Sequence, residues 1–427
     1  MTRPTKTDLS RRELVALLGA AALGPHVGPG RRAPVRSPGV GFRVRTITAG
    51  TTLGDPRDHA PVDAALAFLG RVRRSFADAG YEVQTVRVAT QPLVAGLGPR
   101  ERAAALPALQ ALDRTVTGAN ALLSIGPVPG ADAAADPAEF AQWVTELLRT
   151  TRNLSCSVTV ASPDGGVASG AAGAAAQAML AIAHGTAGGI GNFRFAAAAN
   201  VPAGTPFFPV AYHGGPDAFA IGLESPPLVA EACRAPHTLA EAKARLTSLF
   251  EARLGAIGEL ATGLAEREQR RYLGIDASPA PGKDASIGAA IEALTGLPFG
   301  SAGTLAGCAA ITDVLKRLRV RTCGYSGLML PVLEDPVLAR RAAEGRYSVR
   351  ELLLYSSVCG TGLDVIPLAG DIPAERVAAL IGDVAALAVK LAKPLSARLF
   401  PMPGHAVGDV AHFDDPFLTD CVVLRLE

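Results

Sequence analysis

The chain has 427 residues, 49% of them hydrophobic and 19% charged, a balance that excludes disorder for the bulk of the polypeptide and supplies apolar side chains for a large core. Lys and Arg number 41 against 39 Asp and Glu, and aromatic residues make up only 5%, so neither a polyphosphate-binding surface nor a base-stacking platform is indicated, and nucleic acid is not an expected partner. Beyond residue 24 no apolar stretch reaches the roughly 18–20 residues needed to cross a bilayer, so no stable membrane span is expected. The six cysteines are widely spaced, with no C-x-x-C pair and no Cys/His cluster, which argues against structural zinc. They read as buried free thiols, with disulfides as the alternative.

Residues 1–13 carry Arg3, Lys6, Arg11 and Arg12, and LVALLGAAAL (14–23) follows at signal-peptide length. The Arg11-Arg12 pair before a mildly apolar run is similar to a twin-arginine export signal, although Glu13 intrudes and no small-x-small cleavage site follows; the alternative is a cytoplasmic protein with an N-terminal amphipathic helix. Residues 25–39 are rich in Pro, Gly and Arg and support no packed element, so one folded domain is expected over 40–427.

From there short β-branched runs alternate with helical stretches. VGFRVRTIT (40–48) is a strand, a helix starting at Pro61 ends at Gly80, EVQTVRV (82–88) is the next strand, and ALLSIG (121–126) and SCSVTVA (155–161) follow with helices between them. Strand-helix-strand order implies parallel strands covered by helices, hence an α/β fold, open sheet or barrel. FRFAAAA (193–199), FFPVAY (207–212) and FAIGL (219–223) lie too close together for parallel crossovers and are expected to meander antiparallel or to belong to different sheets. Thr238 and Glu241 form a capping box opening a long charged helix to about residue 271, a candidate surface for a homo-oligomer. A second β/α half has a buried strand region at 321–332, a helix capped by Ser348 and Glu351, a strand at 362–368, a helix from Pro373 with Asp371 as its expected cap, and closing strands at 396–402 and 420–426.

VRTITAGTTL, GNFRFAAAANVPAGTPFFPVAYHG, GIDASPAP, FGSAGT, CGYSGLMLPVLED and SVCGTGLDVIPLAGD, in that order over about residues 43–427, resemble a widespread prokaryotic family known as domain of unknown function 711. The resemblance implies the α/β barrel of pyruvate formate-lyase, ten strands in two parallel halves, and lends no reaction. Residues 320–327 (VRTCGYSG) are also similar to a glycyl-radical signature. Position argues against that chemistry, because a further 103 residues follow Gly324 and no paired cysteines precede it; a buried turn in which Gly324 and Gly327 permit close backbone approach is the expected reading.

Four side chains are the candidate catalytic set. His213 ends FFPVAYH before Gly214-Gly215, where an imidazole can serve as general base or metal ligand. Asp276 lies in an otherwise apolar strand and Asp364 beside the Gly360–Gly362 turn; burying an unpaired carboxylate is costly, so each should hold a cation, backbone donors or a ligand. Cys359 precedes the permissive Gly360-Thr361-Gly362 turn, with a buried structural thiol as the alternative. Glu224 could reach a site from its strand end, but the Ser225-Pro226-Pro227 that follows favours a solvated turn carboxylate. Gly303 and Thr304 open a helix that can present N–H groups to an anion, but no glycine cluster matches a nucleotide fingerprint. The expectation is an enzyme performing a lyase- or isomerase-like proton transfer on a small, polar, carboxylated metabolite. Assistance by Mg, Mn or Ca would come from Asp276, Asp364 and His213. The alternative is a non-catalytic metabolite-binding or sensing protein.

Overall fold

In the computed structural model, which describes residues 42–234 and 238–427, the β/α rhythm of the first half appears as β1 (Arg43–Gly50), α1 (Ala60–Asp78), β2 (Val83–Ala89), α2 (Pro99–Gly118), β3 (Leu122–Val128), α3 (Gly130–Ala135), α4 (Pro137–Thr150) and β4 (Leu154–Ser162). A two-residue hairpin strand β5 (Gly166–Val167), α5 (Ala171–Gly185) and β6 (Phe195–Ala199) complete it. Local chemistry fixes the helix ends. Pro61 stands in the first turn of α1, and Asp136 accepts the Glu139 N–H at 3.1 Å to cap α4. Val62, Ala65, Leu69, Val72 and Phe76 put one face of α1 into the core at helical spacing.

The second half contributes β7 (Ala218–Glu224), α6 (Pro226–Ala232), α7 (Leu239–Glu268), β8 (Arg271–Pro279), α8 (Ile287–Thr295), α9 (Thr304–Lys316), α10 (Pro336–Ala343), α11 (Val349–Ser356), β9 (Gly362–Ala369), α12 (Ala374–Lys390) and β10 (Leu395–Met402). The long helix α7 begins at the expected Thr238 cap and buries Leu246, Phe250, Leu254, Ile257, Ala261 and Leu264. The Ser348–Glu351 box opens α11, with Glu351 accepting the Ser348 N–H at 2.7 Å. Asp371, by contrast, caps nothing: α12 has Pro373 at its N-cap and no side-chain cap.

The main sheet runs β8-β7-β1-β2-β3-β4-β6-β10-β9, with β5 paired on β4. β1, β2, β3, β4 and β6 are mutually parallel; β7 pairs β8 in parallel, β9 pairs β10 in parallel, and the joins β1–β7 and β6–β10 are antiparallel. The N-terminal ends of the five-strand block therefore share one end of the sheet with the C-terminal ends of the other four strands. The expected closed barrel is not made. β8 and β9 remain the sheet's edges, and residues 322–331 reach each through a single parallel bridge, Ile275 to Thr322 and Pro331 to Asp364.

The expected meander is also replaced. Residues 207–212 form no strand, and β6 and β7 lie in one sheet but far apart. The chain between them, residues 200–217, instead runs over the inner face. There Thr48 Oγ1 donates to Pro206 O (2.8 Å), Ser124 Oγ to Ala211 O (2.6 Å) and the His213 N–H to Thr90 O (2.8 Å). Pro202, Pro206 and Pro209 cannot donate to a ladder, which is why this apolar run does not pair as a strand. At the C-terminus only Cys421–Val422 is extended as β12, and it pairs with β11 (Val410–Ala411) in a separate two-stranded sheet. The export signal expected within residues 1–39 lies outside the described residues. No helix among the described residues is long and apolar enough to cross a membrane.

Candidate functional site

A cavity of about 440 Å³ opens at the end of the sheet where the N-termini of the five-strand block meet the C-termini of the other strands. Its size falls within the ~300–1,000 Å³ common for small-molecule sites. Three arginines dominate its wall: Arg45 from β1, Arg87 from β2 and Arg398 from β10. Each is over nine-tenths buried, and each guanidinium lies over an aromatic ring that also lines the cavity. Arg45 sits 5.0 Å from the centroid of Phe417, Arg87 4.9 Å from Phe208, and Arg398 5.0 Å from Phe193. Stacking holds a planar fork in one orientation and leaves its N–H edge for a partner.

Two of the three forks are filled by protein carboxylates. Glu224 Oε2 accepts from Arg45 at 3.0 Å, and Glu334 bridges Arg45 (3.2 Å) and Arg398 (2.7 Å) with its two oxygens. Asp364 Oδ1 accepts from Arg398 Nε at 2.7 Å. The result is a continuous chain Glu224–Arg45–Glu334–Arg398–Asp364 across the cavity floor, joining β7, β1, the single turn Val332–Glu334, β10 and β9. Burial lowers the Arg398 pKa, but Asp364 and Glu334 together outweigh it and leave the group raised. Glu224 is thus buried and paired, also with Arg43 at 2.8 Å, rather than a solvated turn residue; the antiparallel β1–β7 join carries it back toward the sheet.

Arg45 and Asp364 in this chain are both aimed by irregular backbone. On β1, Val44 faces Leu223 and Thr46 faces Gly222, so Arg45 is an extra residue bulged out of the β1–β7 ladder. On β9, Leu363 faces Ala397 and Ile366 faces Leu399, so Asp364 and Val365 together oppose Arg398 alone. Val365 has φ +44°, a conformation a β-branched residue adopts only under constraint. The strain sits beside the carboxylate that the bulge presents to Arg398.

Arg87 differs from its neighbours. Its one side-chain hydrogen bond runs from Nε to Thr85 Oγ1 at 3.3 Å, and among the described residues no carboxylate pairs with it. Burial lowers its pKa, the like charges of Arg45 and Arg398 lower it further, and only Glu334 opposes them. Tyr325 also reaches the cavity. Its hydroxyl donates to Ser396 Oγ at 2.9 Å, Ser396 Oγ donates to Thr361 O at 3.1 Å, and burial holds the phenol pKa above its ordinary value.

Of the four sequence candidates, only Asp364 lines this cavity. Asp276 is sealed against backbone: its carboxylate accepts the N–H groups of Tyr325 (2.8 Å), Ser326 (2.8 Å) and Ser278 (3.1 Å) and the Ser278 hydroxyl (2.6 Å). Burial raises its pKa and these hydrogen bonds oppose the rise. It meets the backbone-donor option set out for a buried strand carboxylate, and it positions the segment carrying Tyr325. Gly324 belongs to the same clasp. It has φ +60°, and a Cβ there would stand 2.2 Å from Asp276 Oδ2. Gly327 packs on Gly360 so closely that a Cβ would come within 2.5 Å of its Cα, which accounts for the radical-like signature as a turn.

His213 lies at the opposite end of the sheet, beside Gly50 and Thr90 at the C-terminal ends of β1 and β2. Nε2 faces Gly215 O at 2.8 Å, Nδ1 has no hydrogen-bond partner, and burial pushes its pKa down. A Cβ on Gly50 would stand 2.2 Å from Nδ1, so the ring occupies the space glycine leaves. The Cys359 side chain is fully buried in the main apolar core, and Lys393 Nζ donates to its carbonyl (2.7 Å) and to those of Ser356 and Ser357, closing α11. Gly303 and Thr304 open α9 away from the cavity, and the Thr304 hydroxyl accepts the Gly300 N–H at 3.1 Å. Among the described residues no three His, Cys, Asp or Glu side chains gather as a metal site, and Asp276, Asp364 and His213 are separate. All six cysteines are free thiols.

The site residues missed from sequence were Arg45, Arg87, Arg398 and Glu334. A signal existed for three of them: each arginine is a charge in a predicted strand, open to the reasoning that selected Asp276.

The fold and site define a mixed α/β protein with an open, mostly parallel central sheet and an arginine-walled cavity at one end. Residues 40–414 match the family described as Uncharacterised ACR (DUF711), and the chain belongs to that family. It is 36% identical over 364 residues to a UPF0210 protein of Pyrobaculum islandicum, covering 79% of this chain and 78% of the relative. A UPF0210 protein of Pyrobaculum arsenaticum is 32% identical over 349 residues (77% and 76%), and one from Oenococcus oeni is 27% identical over 406 residues (87% and 88%).

Proposed function

We propose that this protein binds a small carboxylated metabolite in the arginine-walled cavity, with the Arg87 fork as its anchor. The observation that carries the reading is the buried guanidinium of Arg87, stacked on Phe208 and left without a carboxylate while Arg45 and Arg398 each have two. A buried charge without a counter-charge is costly, and a ligand carboxylate supplies it in the bidentate geometry a guanidinium favours. The test is calorimetric titration of acetate and butyrate into the protein and into Arg87→Gln. Charge-assisted hydrogen bonds contribute ~1.5–3 kcal/mol, so the variant is expected to bind about 10- to 100-fold more weakly. Equal affinity in both proteins contradicts the reading.

Proton-transfer catalysis at the same cavity, of the lyase or isomerase kind, is the second reading. One observation favours it: the strained Val365 that holds Asp364 on the cavity wall. Against it, Glu334 and Asp364 are both occupied by Arg398, which holds each as an ion-paired carboxylate rather than a free base. This reading predicts deuterium exchange at the α-carbon of bound butyrate, followed by NMR and abolished in Asp364→Asn; absence of exchange in the unmodified protein leaves binding alone.

A further inference from the structure

Among the described residues the buried apolar side chains form two separate clusters. The large one lies between the sheet and its helices. The small one comprises Ala196, Ala198, Phe207, Val210, Ala280, Tyr325 and Met329, and all of these except Ala198 line the cavity. The cavity therefore carries an apolar patch beside its arginines, and the segment 200–217 places Phe207 and Val210 there, next to Phe208, the ring under Arg87. Apolar side chains of three further elements converge there: Ala196 from β6, Ala280 just after β8, and Met329 from the bridging segment. A purely hydrophilic anion would use the Arg87 fork and leave this lining unsatisfied.

From this juxtaposition of one free guanidinium fork and an isolated apolar lining, we infer that the ligand is an amphiphilic monocarboxylate, its anionic head on Arg87 and a short aliphatic or aromatic body against Phe207, Val210 and Met329. The inference rests on the carboxylate-binding reading and adds what the rest of the molecule must be. The Tyr325 hydroxyl in this lining is already committed, since it donates to Ser396, so the body needs no polar group to meet it. Met329 is the adaptable element, an unbranched side chain able to follow ligands of different width.

The experiment is a titration series of acetate, butyrate and hexanoate, with hexanol and hexyl phosphate as further arms, on the full-length protein and on Met329→Gln, whose melting temperature is measured alongside. Burial of each methylene is expected to tighten binding about three- to fourfold, so hexanoate should exceed acetate by about a hundredfold. Hexanol should bind far more weakly than hexanoate. In Met329→Gln the gain per methylene should shrink, and an undiminished gain in a variant that melts as the unmodified protein does would remove Met329 from the body-binding lining. Equal affinity for acetate, butyrate and hexanoate, with binding still lost in Arg87→Gln, overturns the amphiphile inference and leaves carboxylate binding standing. Tighter binding of hexyl phosphate than of hexanoate overturns the choice of carboxylate head. No binding by any carboxylate removes both readings.

Discussion

The cavity wall and the clasp behind it hold buried charge in opposite ways. In the clasp, Asp276 spends both oxygens on backbone N–H groups and the Ser278 hydroxyl, so its charge is answered entirely by fixed neighbours. At the wall, the chain Glu224–Arg45–Glu334–Arg398–Asp364 is answered from within, yet Arg87 beside it is not. A fully satisfied buried group is structural, and one with donors still turned toward solvent-reachable space is available to a ligand. The contrast separates a scaffold carboxylate from the guanidinium proposed above as the ligand anchor.

The largest expected effect falls on the clasp. Asp276→Ala strands the N–H groups of Tyr325 and Ser326 in the interior and should cost about 3 kcal/mol or more, read as a lowered urea midpoint. A shift well under 1 kcal/mol would show that the clasp is not the stabilising region described here. At the wall the same measurement should show little. Arg87→Gln removes a buried cation with no ion-pair partner, so the urea midpoint should stay level or rise even as carboxylate binding falls. A large loss of stability would mean that Arg87 belongs with the scaffold.

The smallest effect concerns His213, which shares neither region. Burial holds its pKa below the ordinary value, with Asp217 favouring the proton and Arg270 and Arg271 opposing it. The unfolded chain then takes the proton more readily than the folded one, so the stability due to this group is complete above about pH 6.5 and declines as the pH falls below that value. His213→Asn should flatten the decline in urea midpoint between pH 7 and pH 5. An unchanged slope would place the titrating group elsewhere.

Much of the fold was legible because strand and helix periodicity are local properties. The strands near 40–48, 82–88, 121–126, 155–161, 362–368 and 396–402 appear within a few residues of their expected positions. What failed depended on partners distant in sequence. FFPVAY has strand composition, but its prolines and the inner face of β1 to β3 turn it into a lining segment. DCVVLRL finds a short partner in β11 instead of the main sheet. The site was legible only in part for the same reason. Asp364 stood out as a carboxylate beside the Gly360–Gly362 turn, whereas Arg45 and Arg398 are joined only through Glu334, on a single turn far from both in sequence. The bulges at Arg45 and at Asp364–Val365 are products of strand register, which no local pattern specifies.

The most direct test of the central claim is a crystal structure of the protein grown with butyrate. The account predicts butyrate in the cavity with its carboxylate oxygens ~2.7–3.2 Å from the Arg87 guanidinium nitrogens and Phe208 behind the fork. Butyrate bound outside this cavity, or an Arg87 side chain turned onto Glu334 with no ligand at its fork, would contradict it.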